Sequence, residues 1–370
     1  MYGKDDFIAF SSMYSDVGGS WRFPKKEIPD GLLYLIYIIS NEVKINIFNS
    51  LNSELKNLKQ KILSDTSKKS KENYNKILCE LFEGKGIEKY YESVDEIKSR
   101  CEEENIKIII INDDEYPQQF KTIGEFPFAL YIKGELPTIN KAIGIIGTRE
   151  VDKAGKDFAF ECGKYLAEHK IWNISGLAKG CDEWGHKGSL NGGGYTGAIL
   201  GQGLAQPIYP KRNRPLAKDI LNNNGFLMSE LPPDTKVNGL FLVLRDRLQS
   251  AFNNAIHLVE TGEKGGSLHT INYALKYGKK VCVWNPLDNI QTDKNEMLNN
   301  EKLQGNFILL GKKEMPKNFK IRNIHKYGHL IKPIRCNEDI IKELDLDKHQ
   351  NAHDKPKIEK QLQLKINQGY

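Results

Sequence analysis

The chain's six cysteines (Cys79, Cys101, Cys162, Cys181, Cys282 and Cys336) form no Cys-x-x-Cys pair. Their scatter builds neither a zinc ribbon nor a disulfide framework, and they read as reduced thiols. The dinucleotide fingerprint Gly-x-Gly-x-x-Gly is missing after the apolar run ending at Ile146, and no Walker motif Gly-x-x-x-x-Gly-Lys-Ser/Thr occurs. A nicotinamide dehydrogenase and a P-loop NTPase are thereby disfavoured. No apolar run reaches the roughly 20 residues of a bilayer span. Gly31–Ile39 is about half that length and reads as a buried helix, while Met1–Trp21 is polar and has no signal-peptide core. The expectation is a cytoplasmic protein with no membrane contact. A large charge excess is missing too. Lys and Arg number 54 against 48 acidic residues, a formal charge of +6. That balance permits a polyanionic partner without demanding one.

What is present is an alternation. From Lys141 to Pro286, short apolar runs alternate with helix-like segments, the pattern of a parallel, doubly wound α/β sheet. Strands are expected near Ala142–Ile146, Trp172–Ile174, Ala198–Leu200, Phe226–Met228, Ile256–Val259 and Lys280–Trp284. Ile106–Ile111 and Pro127–Gly134 read as further strands joining that sheet. Ahead of them, Ile45, Phe48, Leu51, Leu55 and Leu58 recur at helical spacing. The expected organisation is a flexible arm over 1–27, a smaller helical N-terminal domain over 28–104, an extended Rossmann-like domain over 105–290, an irregular region over 291–345 and a polar tail over 346–370. The lysine-rich stretch 65–76 reads as a solvated helix face and linker, with nucleic-acid contact the minority reading.

Four of these strands empty into glycine-bearing loops: Gly147-Thr148-Arg149, Ser175-Gly176 through Lys179-Gly180, Gly201-Gln202-Gly203, and Gly262 through Gly265-Gly266-Ser267. In open α/β sheets the ligand crevice lies at the carboxyl ends of the strands, where backbone N–H groups and helix N-termini favour anions. Arg149, Lys179, Lys211, Arg212, Arg245 and Arg247 follow strand ends or loops. A row of cations with amides between them suits a chain of phosphates better than one small anion. For Lys211 and Arg212 an ordinary surface role is the favoured reading; for Arg149 and Lys179, behind glycines at successive strand ends, the functional one is. Ser267 can cap the following helix, and with the Gly265 and Gly266 amides and Thr270 nearby it can also hold a phosphate. Asp182 and His186 are four apart and share a helix face. The sharp reading is an acid–base pair; the favoured one is a helix-capping carboxylate that orients a packed imidazole. No nucleophile elbow stands beside them. No catalytic residue, metal ligand or cofactor is assigned. Trp184 and Tyr195 are the candidates for base stacking.

Taken in order, Gly147-Thr-Arg149, Ser175-Gly-Leu-Ala-Lys-Gly-Cys-Asp182, Leu200-Gly-Gln-Gly-Leu204, Tyr209-Pro210 with Asn213, Ser229-Glu-Leu-Pro-Pro233, Arg245-Asp-Arg247 and Gly266-Ser-Leu-His-Thr270 resemble the DNA-processing protein A (DprA/Smf) family. The resemblance covers roughly Ile106 to Pro286. It implies a Rossmann-like protein without catalysis that binds single-stranded DNA, forms a homodimer and hands the strand to a RecA recombinase during DNA processing or uptake. The family's strand-binding cations map onto Arg149, Lys179, Arg245 and Lys211 or Arg212, with the glycine loops lining the same pocket. Asp246 stands where the family has asparagine, placing a negative charge between two cations. The same fold class is similar to phosphoribohydrolases and to sensors of nucleotide messengers in bacterial defence. A phosphoribohydrolase would carry Pro-Gly-Gly-x-Gly-Thr-x-x-Glu; Glu263–Thr270 lacks that glutamate. The sensor is the alternative reading.

Overall fold

The computed structural model describes residues 2–17, 36–37, 39–40, 46–48, 52–64, 75, 78–79, 82, 88–123, 126–136, 141–288, 294–321 and 324–345. The chain divides into two compact units. Of the described residues, the smaller unit takes those up to Tyr131 together with Glu230–Thr235, and the larger takes Ile132–Ser229 and those from Lys236 on.

The smaller unit is mainly helical. Its helices include Lys4–Val17, Asn52–Ser64 and Val94–Glu103, followed by strand β1 (Lys107–Ile110) and the start of β2 (Ala129–Gly134). Instead of a flexible arm, residues 4–17 form a helix that buries Phe7, Ile8, Phe10 and Met13. Phe10 stacks on Phe128 at 4.8 Å and meets Tyr37 edge-on at 5.8 Å. Each such aromatic side chain removes a large apolar area from water, worth about 1.5–3 kcal/mol for a fully buried phenylalanine. Aromatic burial therefore orders a stretch expected to be a flexible arm. The boundary also falls later than 104, because residues up to Tyr131 pack with these helices. Of the buried helix expected over Gly31–Ile39, Ile36 and Ile39 are helical and buried, while residues 31–35 and 38 lie outside the described residues. The stretch 65–76, apart from Asn75, and the tail 346–370 lie outside the described residues.

In the larger unit, β3 (Ala142–Ile146), β4 (Trp172–Ser175), β5 (Thr196–Ile199), β6 (Phe226–Ser229), β7 (Ala255–Leu258), β8 (Lys280–Trp284) and β9 (Ile331–Ile334) run in the order β6-β5-β4-β3-β7-β8-β9. Every neighbouring pair is parallel. Strict alternation divides the core. Ile143, Ile145, Ala255, Cys282 and Trp284 face helix Lys153–Glu168 through Ala159, Cys162 and Leu166. Ile146, Ile256, Leu258, Val281 and Val283 face helix Ser267–Lys276 through Leu268, Ile271, Ala274 and Leu275. Covered on both faces, strands such as β3 and β8 are apolar on both sides, which is why they read as runs without a polar side.

Helices Lys153–Glu168 and Cys181–Asn191 touch backbone to backbone. A Cβ on Gly163 would lie 2.1 Å from the Gly185 carbonyl oxygen, and one on Gly188 would lie 1.9 Å from that of Phe160. Gly278, at φ +70°, ends the helix Ser267–Lys276, with its own amide bonded to Leu275 O and that of Lys279 to Ala274 O. The region 291–345 is not irregular as expected. It contains helix Gln304–Leu309, strand β9 and helix Asn337–Asp345. Pro333 hides β9 from a sequence reading, yet β9 ends the sheet order, where a missing amide is tolerated.

Candidate functional site

The chain runs β3 to β6 on one side of the sheet and resumes with β7 on the other, so the order reverses between β3 and β7. Parallel pairing brings the loops after β3, β4, β5 and β7 to one edge. The first loop leaves β3 at Gly147. A Cβ there would sit 2.4 Å from the Cys181 Sγ and 2.7 Å from the Glu260 carbonyl oxygen. The Thr148 amide donates to that carbonyl at 2.7 Å, and the Thr148 carbonyl accepts from the Cys181 amide at 3.2 Å. Gly180 adopts φ +80°, and its Cβ position falls 2.2 Å from the Thr148 oxygen. Only glycine fits at either point. Arg149, the residue after Thr148, is exposed.

The β4 loop is tied from both ends. Asp182 accepts from the Gly176 amide at 3.0 Å and the Ala178 amide at 3.4 Å. The Asn213 side chain donates to the Leu177 carbonyl at 2.9 Å and the Ala178 carbonyl at 3.1 Å. Lys179 emerges exposed at the crest. Asp182 and His186 do not bond to each other. The His186 Nδ1 lies 2.6 Å from the Thr196 hydroxyl, and burial pushes its pKa down to about 3, so the ring is neutral. Asp182 thus braces the loop, and His186 lies wholly in the core.

After β5, one buried amide side chain shapes the turn. Gln202 Nε2 donates to the Gln206 and Pro207 carbonyls, each at 3.3 Å, and its Oε1 accepts the Tyr209 amide at 2.8 Å. The Gly201 Cβ position lies 2.7 Å from the Phe241 carbonyl oxygen. Lys211 and Arg212 follow, both exposed. The Arg212 guanidinium pairs at 3.1 Å with Glu183, a carboxylate that also binds Lys187 at 2.7 Å.

Arg245 and Arg247 are not rim cations. Arg245 is buried, donates to the Ile199 carbonyl and sits 3.3 Å from Asp246 Oδ1. A Cβ on Gly176 would fall 2.1 Å from its guanidinium, so that glycine makes room for arginine. Arg247 is wholly buried, and its Nη1 donates to the Leu244 carbonyl at 3.3 Å. Burial pushes Asp246 up to about 7; Arg245 and Arg149 pull the other way and Asp182 adds to the rise. Ser175 is also spent internally, donating to the Ile145 carbonyl at 2.7 Å and accepting from Gln249 at 3.0 Å.

The β7 loop folds around Thr261. Its amide is held by Asn306 at 2.9 Å, and its hydroxyl accepts from Ser267 at 2.7 Å. A Cβ on Gly265 would strike that hydroxyl at 2.1 Å. Gly266 is exposed, whereas Thr270 is buried and its carbonyl is taken by Ser250 at 2.7 Å. Lys320, which the sequence reading did not single out, donates to the Lys264 and Gly265 carbonyls. Beneath the loop, burial raises Glu260 to about 7.

The structure thus brings Arg149, Lys179 and Lys211 to one edge as exposed cations and withdraws Arg245 and Arg247 beneath it. The stacking candidates are misplaced. Tyr195 precedes β5 and lies on Trp172, the first residue of β4, at 4.8 Å, on the opposite edge of the sheet. Trp184 is half-buried beneath the Lys156 and Lys187 ammonium groups.

A family model described as DNA recombination-mediator protein A matches residues 107–317. The chain belongs to this family. The DNA processing protein DprA of Bacillus subtilis is 33% identical over 197 residues, covering 53% of this chain and 66% of that protein. Protein Smf of Escherichia coli is 32% identical over 181 residues, covering 49% of this chain and 48% of that protein. The match therefore spans between about half and two thirds of these curated relatives. Among solved structures, DprA of Streptococcus pneumoniae shares the fold at a TM-score of 0.62 and 20% identity, over 90% of this chain and 97% of that one. DprA of Helicobacter pylori, described for its single-stranded DNA binding mode, aligns at 0.52 and 21% identity over 66% of this chain and 99% of that one. The family segment takes in all the rim loops and β3 to β8. Among the described residues no helix is long and apolar enough to cross a membrane, and no cluster of three or more potential metal ligands occurs.

Proposed function

We propose that this protein binds the phosphate backbone of single-stranded DNA along the carboxyl-end edge of its sheet, performing no chemical step. The observation that carries this is the set of exposed cations at successive strand ends: Arg149 on a loop held by backbone bonds of Thr148 to Glu260 and Cys181, and Lys179 and Lys211 on loops tied down by buried polar side chains. Cations at intervals along an edge neutralise a run of phosphates. Gly147, Thr148, Gly176, Gly180, Gly201, Gly203, Gly265, Gly266 and Ser267 would then frame the path. Arg245 supports it from below, holding Gly176 and Ile199 in place. The wider role proposed with it, in keeping with family membership, is a homodimer that passes the strand to a RecA-type recombinase in the cytoplasm.

The experiment is a salt series with a fluorescent single-stranded oligonucleotide, comparing the native protein with Arg149→Ala and Lys179→Ala. Affinity should fall steeply with salt, and each substitution should lower the slope of log K against log salt by about 0.7. Binding no tighter than nonspecific background, unmoved by either substitution, would overturn the reading. A mononucleotide that displaces the oligonucleotide at low concentration would point to a messenger sensor instead.

A further inference from the structure

Large apolar side chains left exposed among the described residues are Tyr91, Tyr195, Tyr209 and Leu240. Tyr91 belongs to the smaller unit, and Tyr195 lies on Trp172 at the far edge of the sheet. Tyr209 is different. It stands on the loop after β5, two residues before the exposed Lys211, with 43% of its surface in water. Its backbone is fixed, because its amide donates to the buried Gln202 side chain at 2.8 Å, and Gln202 also binds the carbonyls of Gln206 and Pro207. The turn that precedes Gln202 abuts the backbone of Phe241 and Leu242, next to Leu240, which is itself 44% exposed. An aromatic ring is thus held half in solvent on a braced loop, two residues from an exposed cation.

We infer that Tyr209 is a nucleobase-stacking residue of the rim, and that the ligand's bases as well as its phosphates contribute to binding. Every base has a π-face, so such a ring adds affinity without sequence preference, which suits a backbone-tracking groove. With its backbone already anchored, Tyr209 has only its side-chain torsions left to order when a base covers the ring. The inference rests on the proposed strand-binding reading and extends it from phosphates to bases.

The test compares native protein, Tyr209→Ala, Tyr209→Phe and Arg149→Ala on two probes, an oligothymidylate and an abasic deoxyribose-phosphate chain of equal length. Melting temperature serves as the folding control. Stacking requires that Tyr209→Ala weaken oligothymidylate binding by about 5- to 100-fold, leave the abasic chain unaffected and spare the melting temperature. Tyr209→Phe should bind like the native protein. The inference is overturned if Tyr209→Ala changes neither probe, if it weakens both equally, or if Tyr209→Phe is as weak as the alanine variant. Arg149→Ala separates the two levels. If it weakens both probes while Tyr209→Ala weakens neither, only the stacking assignment fails; if it weakens neither and the native protein does not hold the oligonucleotide, the strand-binding reading fails and takes the inference with it.

Discussion

Arg149 and Arg247 both stand in motifs that resemble those of one family, and the fold uses their charge in opposite ways. Arg149 leaves β3 behind a glycine that only a side-chain-free residue can occupy, and its guanidinium goes to solvent. Arg247 lies in the helix Asp246–Phe252, every residue of which is buried, and its guanidinium is spent inside the protein. A cation at the edge keeps its hydration until a ligand displaces it. A buried one must be satisfied during folding, because an unpaired charge in the interior costs several kcal/mol. Proximity to a phosphate-type loop therefore does not make an arginine a ligand; exposure and partners decide.

The contrast can be broken by mutation. Arg247→Ala should cost about 3 kcal/mol or more of stability in a denaturant titration, and a loss below about 1 kcal/mol would show that the buried cation is dispensable. Asp246→Asn probes the carboxyl between the two arginines. Its folded pKa near 7 lies above the unfolded value of about 4. Between those limits the folded chain holds a proton that the unfolded chain has released, so this contribution is present below about pH 4 and lost as pH rises through 7. The variant should be more stable than the native protein by about 2 kcal/mol at pH 8, with the advantage shrinking towards pH 4. The difference matters more than either curve, since buried His186 and His257, pushed down to about 3 and 4, tilt both proteins the other way below pH 6.5. A pH-independent difference would remove the titration argument. Arg149→Ala should leave stability within about 0.5 kcal/mol and weaken oligonucleotide binding about tenfold at low salt; a melting shift without a binding change would reverse the contrast. Smallest of all, Tyr195→Ala should leave the binding isotherm unchanged, and any loss would mean that the amino-end edge also holds the strand.

Much of the sheet was legible because it is covered on both faces. Apolar runs such as Ile143–Ile146 and Val281–Trp284 have no polar alternation to confuse with a helix, and the first ends in Gly147, whose Cβ would strike the Cys181 side chain and the Glu260 backbone. Arg149 and Lys179 were legible as edge cations for the same reason: a strand end fixes which way the chain is heading. What failed depended on partners distant in sequence. The helix Lys4–Val17 is held by aromatic contacts to Tyr37 and Phe128, which no local window contains. Strand β9 carries a proline and is recognisable only once β8 is there to pair with it. The burial of Arg245 follows from the Ile199 carbonyl and Asp246, and residues adjacent in sequence to a rim loop gave no sign of facing inwards. Tyr195 was misplaced because its direction along β5 sets the edge it occupies, and an aromatic beside glycines looks the same at either end.

Gln202 has a kinetic consequence. One buried amide group closes the turn from Gly201 to Tyr209, as Asp182 and Asn213 close the turn before it. Under the proposed reading, a strand arriving at this edge finds the surface in its final shape, so little loop ordering separates encounter from capture. Association should then run at the rate set by charge-steered diffusion, and residence time should carry most of the difference between one bound strand and another.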